Sequence, residues 1–269
     1  MRYGVSMVLL FCGVGLSADW TLIDDFESYE PGIYREYPRN GEFPLFYPGV
    51  SEIEGKAEII QGVEGINGDQ ACWFGYFFAE GSLQFWHLIP LPTEIAVGEK
   101  ATLFWRLWME DLDDLGWYVG LSHFAPGEWT QENSFWSETN AVMRYLPGGG
   151  FETLSAYNGT GYWAVDRPGA VAAGEWYAFW MVVDYRYRDS VPVGGYSLYY
   201  QSSADPDPVR LSWSHEAREP DAFLSFRNTR ELPLQTLFFH QVAGLFPGQN
   251  RWLIDDIYQA EGACLSDPT

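Results

Sequence analysis

Ala101-Thr102-Leu103-Phe104-Trp105-Arg106-Leu107-Trp108-Met109-Glu110 separates into two alternating sets of opposite character. Ala101, Leu103, Trp105, Leu107 and Met109 are all apolar, whereas Thr102, Phe104, Arg106, Trp108 and Glu110 mix aromatics with both signs of charge. Side chains of a strand point alternately to its two faces, so the first set goes to a core and the second to a working surface. Rings cover the apolar faces of ligands while charged groups bond their hydroxyls, so Arg106, Trp108 and Glu110 are candidate ligand-binding residues. The plainer reading is an internal Arg–Glu pair beside packing aromatics. A one-residue slip in register would reverse both faces.

Outward from this strand the pattern repeats. Gln70–Phe78, Ser82–Ile89, Gly116–Phe124, Asn140–Leu146, Phe151–Tyr157, Glu175–Tyr185, Tyr196–Gln201, Leu234–Val242 and Arg251–Tyr258 are rich in β-branched and aromatic residues. Gly, Pro, Asn and Asp separate them, and Asn158-Gly159 between two short runs signals a hairpin. No amphipathic helix longer than about two turns is found. The expected fold is all-β, a two-sheet antiparallel jelly-roll β-sandwich. Tyr118 and Arg144, on strands expected near Arg106, are weaker companions in the same binding groove. The Pro/Gly-rich stretch from Pro31 to Ser51 reads as an irregular excursion.

The chain has 269 residues, within the range of one large sandwich. Residues 1–18 read as a signal peptide, with Met1-Arg2, an apolar stretch from Val5 to Leu16 and a cleavage site at Leu16-Ser17-Ala18. A single domain then spans 19–260, and 261–269 form a C-terminal tail. The implied location is secreted, extracellular or periplasmic, with no membrane insertion. Net charge is −22 and only Lys56 and Lys100 are lysines, which argues against nucleic acid and anionic membranes as partners. With Cys12 lost in the leader, Cys72 and Cys264 remain, either as one disulfide or as two separate thiols.

Two acidic motifs mirror each other near the chain ends, Ile23-Asp24-Asp25-Phe26-Glu27 and Ile254-Asp255-Asp256-Ile257-Tyr258. Carboxylates inside apolar strands are costly unless paired, and a hard cation is one way to pair them. If the two terminal strands lie side by side, the motifs meet. Solvent-facing Asp side chains are the plain alternative.

These two motifs, with Gly174-Glu175-Trp176-Tyr177-Ala178-Phe179-Trp180-Met181-Val182-Val183-Asp184 and the Tyr-rich Tyr196–Tyr200, resemble the concanavalin A-like lectin/glucanase superfamily, including bacterial laminin-G-like secreted domains. The resemblance implies a structural calcium with Asp25 and Asp255 as side-chain ligands and Glu27 as a third candidate. It also implies an extracellular glycan as ligand. The retaining glucanase signature Glu-x-Asp-x-x-Glu is missing: Glu219-Pro220-Asp221 is followed by Leu224 where the second Glu would stand. The strands of alginate-lyase-like jelly rolls are not matched either. Arg230-Glu231 lacks the flanking arginines, and Gln84-Phe85-Trp86-His87 carries one residue too many. His87, His123 and His240 sit in apolar runs and read as hydrogen-bonded members of a sheet, while His215 reads as loop. No catalytic residue is nominated. The expectation is a non-catalytic carbohydrate-binding domain. The alternatives are a lyase or hydrolase with an atypical site, or a protein-binding module using the Trp-rich segment Gly127–Thr139.

Overall fold

The computed structural model describes residues 19–36, 54–62, 68, 70–77, 84–110, 117–128, 139–146, 150–155, 161–164, 171–188, 191–211, 224–226, 231–242 and 252–269. The leader at 1–18, the Asn158-Gly159 turn, His215, Glu219-Pro220-Asp221 and Arg230 lie outside them. So do most of the Pro/Gly-rich excursion and of the Trp-rich segment. Two antiparallel sheets stack into a jelly-roll sandwich. One helical element occurs among the described residues, a 3-10 turn at Pro126–Glu128, and no helix there is long and apolar enough to cross a membrane.

The larger sheet has ten strands. In chain order these are β1 (Trp20–Asp24), β2 (Gly32–Glu36), β3 (Glu54–Gln61), β4 (Gln70–Phe77) and β6 (Lys100–Met109), then β11 (Trp176–Arg188), β12 (Val191–Ser202), β13 (Val209–Arg210), β14 (Leu224–Ser225) and β16 (Trp252–Glu261). They run β13-β12-β11-β6-β16-β4-β3-β2, with β1 added to β16 and β14 to β12. The smaller sheet holds β5 (Gln84–Ile95), β7 (Trp117–Ser122), β8 (Thr139–Leu146), β9 (Gly150–Ser155), β10 (Gly161–Ala164) and β15 (Leu234–Val242), ordered β10-β9-β8-β7-β15-β5. β9 and β10 pair antiparallel on either side of the expected hairpin turn.

One core lies between the sheets. From β6 it takes Ala101, Leu103, Trp105, Leu107 and Met109, the set that alternation assigned to it. Trp105 is fully buried, stacked on Phe179 at 5.6 Å and 8°, with Phe239 of the facing sheet edge-on at 6.4 Å. The hydroxyl of Tyr196 spans the sandwich, donating to the Val142 carbonyl at 2.8 Å and accepting from the Val142 N–H at 3.3 Å.

The expected Cys72–Cys264 disulfide is not formed: both cysteines are free. Cys72 faces the inter-sheet core and is in register with Ile254, itself paired with Leu107. Cys264 lies on the other side of the sheet, its N–H on the Thr102 hydroxyl at 3.0 Å. Five residues of strand, about 17 Å, and the sheet itself separate them, against about 7 Å at most between bridged Cα atoms.

The tail is not loose. Beyond Glu261 it folds back over the outer face of the large sheet. The Thr102 hydroxyl donates to the Gly262 carbonyl at 2.8 Å. The Trp180 indole donates to the Ser266 carbonyl at 3.2 Å, and the Trp20 indole to the Ser266 hydroxyl at 3.2 Å.

Candidate functional site

The small sheet carries a polar row on its outer face. Val119, Leu121, Met143, Phe151 and Phe239 enter the core. Alternation therefore turns Tyr118, Arg144, Glu152 and His240 outward. Register places these four side by side on adjacent strands, His240 opposite Tyr118, Tyr118 opposite Arg144, and Arg144 opposite Glu152. Cross-strand neighbours of this kind touch. The Tyr118 and His240 rings lie 5.2 Å apart, and the guanidinium carbon of Arg144 sits 5.9 Å from the Tyr118 ring centre. Arg144 Nη1 donates to the Tyr118 hydroxyl at 3.4 Å, and Nη2 forms an ion pair with Glu152.

Burial opposes the charge of Arg144, yet Tyr118 and Glu152 outweigh it and raise its pKa. Burial alone pushes the pKa of His240 well below the ordinary histidine value, so its imidazole is neutral. The row is graded: His240 and Tyr118 form a floor at 1% and 5% exposure, while the Arg144 and Glu152 side chains reach solvent at 25% and 19%. Next to it the ring of Phe238 lies over Gly120, where a Cβ would collide with that ring and with the Ala141 carbonyl.

Tyr118 and Arg144 were expected to share a groove with Arg106, Trp108 and Glu110. They do not. β6 is bonded to β11 and β16 of the large sheet, and β7 and β8 belong to the small one, so the two sets face opposite sides of the sandwich. Arg106 is moreover engaged by the protein itself, through Nε to Asp256 at 3.1 Å and through Nη2 to Asp267 at 3.1 Å and Thr269 at 2.5 Å. Trp108 joins Trp176, Trp73, Leu253 and Ile60 in an apolar cluster separate from the main core. Tyr145 faces the core, so it too is outside any groove. Glu152 and His240 were not nominated from sequence. Glu152 alternates with Phe151 just as Arg144 does with Tyr145, a signal that periodicity alone could have flagged.

The mirrored acidic motifs do meet. β1 pairs with β16, and both ladders lose register at the motifs, between Leu22 and Asp24 and between Asp255 and Tyr258. Phe26 and Asp256 are left-handed at φ 58° and 52°, a costly backbone for residues other than glycine. Phe26 uses this turn to drop its ring into the core. The Asp24 carboxylate caps the turn from the Phe26 N–H at 3.0 Å and the Tyr29 hydroxyl at 3.1 Å. Glu27 accepts from the Gln70 N–H at 2.9 Å and packs over Gly68. Asp255 is fully buried and neither carboxyl oxygen has a hydrogen-bond partner. Burial, then Asp256, Glu27 and Asp25, pushes its pKa up to about 9. All-oxygen donors of this kind suit a hard cation such as calcium. As the side chains stand, no group of three His, Cys, Asp or Glu among the described residues is set around one ion.

No family model matches the chain, and no curated protein matches it. Among solved structures it is similar to the globular domain of T. cruzi calreticulin, at 12% identity over 90% of this chain and 89% of that one, TM-score 0.48. It is also similar to a GH131 beta-glucanase catalytic domain from Podospora anserina, at 10% identity over 91% and 98%, TM-score 0.46. A legume lectin-like domain from Entamoeba histolytica aligns at 9% identity over 78% and 90%, TM-score 0.40. These likenesses agree in kind with the lectin and glucanase sandwiches that the sequence motifs resemble, and they bear on the course of the chain alone.

Proposed function

We propose that the chain is a secreted, non-catalytic carbohydrate-recognition domain that binds an extracellular or cell-envelope polysaccharide along the row His240–Tyr118–Arg144–Glu152. The observation that supports this most is the register itself. Four adjacent strands present an imidazole, a phenol, a guanidinium and a carboxylate in one line, graded from buried floor to solvent. Hydroxyl groups both donate and accept, and a line of mixed donors and acceptors whose charges cancel is suited to them. A glycan array with the protein lacking residues 1–18 identifies the ligand. Arg144→Ala is then expected to weaken binding by about tenfold or more, with the melting temperature measured in parallel. Binding untouched by Arg144→Ala and by Glu152→Gln removes the row from the reading.

A second reading, a polysaccharide-cleaving enzyme, is favoured by one fact. The neutral His240, the Tyr118 hydroxyl and the Glu152 carboxylate share the row, and such groups can act as general acids and bases. Incubation with array-positive polysaccharides separates the two. A binder leaves chain length and reducing ends unchanged, whereas an enzyme creates new ends that Glu152→Gln or Tyr118→Phe abolishes.

Calcium belongs to the proposal as a structural ion. Asp255 and Asp25 would supply carboxylate oxygens, with Glu27 as a further donor, and the ion would compensate the buried charge of Asp255. A ligand of the folded state alone stabilises by about 2.7 kcal/mol at a hundredfold excess over Kd. Added calcium is therefore expected to raise the melting temperature of wild type and not of Asp255→Asn. Identical melting in calcium and in chelator rules the ion out.

A further inference from the structure

Register also aligns an apolar row on the opposite face of the molecule. On the large sheet Trp73 of β4 is opposite Leu253 of β16, Leu253 is opposite Trp108 of β6, and Trp108 is opposite Trp176 of β11. Strands lie about 4.8 Å apart, so the row is roughly 14 Å long. Trp73 and Leu253 are 6% exposed and form its base, while Trp108 and Trp176 are half-buried and keep surface in solvent. The cluster is separate from the inter-sheet core, so the sandwich is packed without it.

Charge identifies the occupant. On one flank Arg106 is neutralised by Asp256 and Asp267, and on the other the exposed Glu110 follows on the same face of β6. No cation is left uncompensated there to attract a polyanion, and the chain as a whole carries −22. The surface complements an uncharged ligand with flat apolar faces edged by hydroxyls: rings for the faces, Asp267 and Glu110 as acceptors at the edges.

We propose that the row Trp73–Leu253–Trp108–Trp176 is a second binding surface, for a linear neutral polysaccharide, set back to back with the polar row of the small sheet. The assignment rests on the carbohydrate reading above for the class of ligand, and it adds a consequence. One molecule holds two polysaccharide chains and links them.

Native gels containing β-1,3-glucan, xylan or galactomannan test this by retardation, and turbidity of the same polysaccharides in solution reports cross-linking. Wild type is expected to be retarded and to cross-link. Trp108→Ala and Trp176→Ala, singly and together, are expected to weaken retardation by about tenfold at most and to abolish cross-linking. Arg144→Ala is expected to do the same from the other face, and the combination to abolish retardation. Trp108→Phe, which keeps a ring, restores cross-linking, and thermal unfolding confirms that each variant is folded. Cross-linking unchanged by loss of both Trp rings overturns the second surface while leaving the first. Retardation insensitive to Arg144→Ala but lost with the Trp rings sinks the first and keeps the second. A wild-type dimer that dissociates on Trp108→Ala makes the row a self-interface and overturns the proposal, as does absence of retardation by every polysaccharide.

Discussion

His240 shows what one residue contributes to the polar row. Its neutral imidazole lies 1% exposed against Tyr118 and stays neutral because burial penalises the charged form. An unfolded chain protonates the same histidine near pH 6.5, so below that value the unfolded state binds the extra proton. Stability contributed by His240 is thus present above about pH 6.5 and declines as pH falls toward the depressed native value. Urea titrations between pH 7.5 and 5 are expected to show this decline in wild type and a flatter profile in His240→Gln. Equal slopes would show that His240 is not the group responsible. The identity of the row was half legible in the sequence. Tyr118 and Arg144 stood out as polar members of apolar alternations, whereas His240 read as ordinary sheet filling and Glu152 as an ordinary surface acid. What joins them is register between strands distant in sequence, which no single alternation contains.

At the level of the element, β6 was readable to the residue. Its strict alternation put Trp105 inside and Trp108 outside, and both are found there. Its neighbours were not readable. Periodicity tells which face of a strand is apolar but not which strand it bonds to, so Tyr118 and Arg144 were placed beside Arg106 when a whole sandwich lies between them. The short strands β2, β10, β13 and β14 also passed unnoticed, two to five residues being too few to show a period. β7 contains a sharper constraint. Gly120 lies under the Phe238 ring and beside the Ala141 carbonyl, so an added methyl must displace a backbone oxygen of the adjacent strand. Gly120→Ala is expected to cost about 1–3 kcal/mol by denaturant unfolding, the usual range for overpacking. Since Tyr118 is two residues away on the same face, ligand binding should fall as well. A variant as stable as wild type would mean that the two strands separate freely.

For the molecule as a whole, the tail is an integral layer. Phe104 and Trp180 are fully buried although they face away from the core. The cover comes in part from 262–269, anchored through Thr102, Trp180, Trp20 and Arg106. Truncation after Glu261 strips several hydrogen bonds and uncovers aromatic surface, and it leaves Arg106 with Asp256 alone. The expected loss is about 3 kcal/mol or more in denaturant unfolding. An unchanged midpoint would return the segment to the loose tail that its composition suggested.

The pairing of β1 with β16 also fixes a schedule. β16 is the last strand described, yet it lies inside the large sheet, with β6 on one side and β4 and β1 on the other. Until it arrives, β3 and β4 have no bond to β6, and the two halves of that sheet remain apart. A chain emerging from its N-terminus therefore cannot assemble stepwise, because the piece that joins early strands to middle ones is made near the end. Pairing across such sequence distances is slow. Folding waits for the whole chain, and a chain that must be threaded through a narrow channel before it folds is well served by that delay.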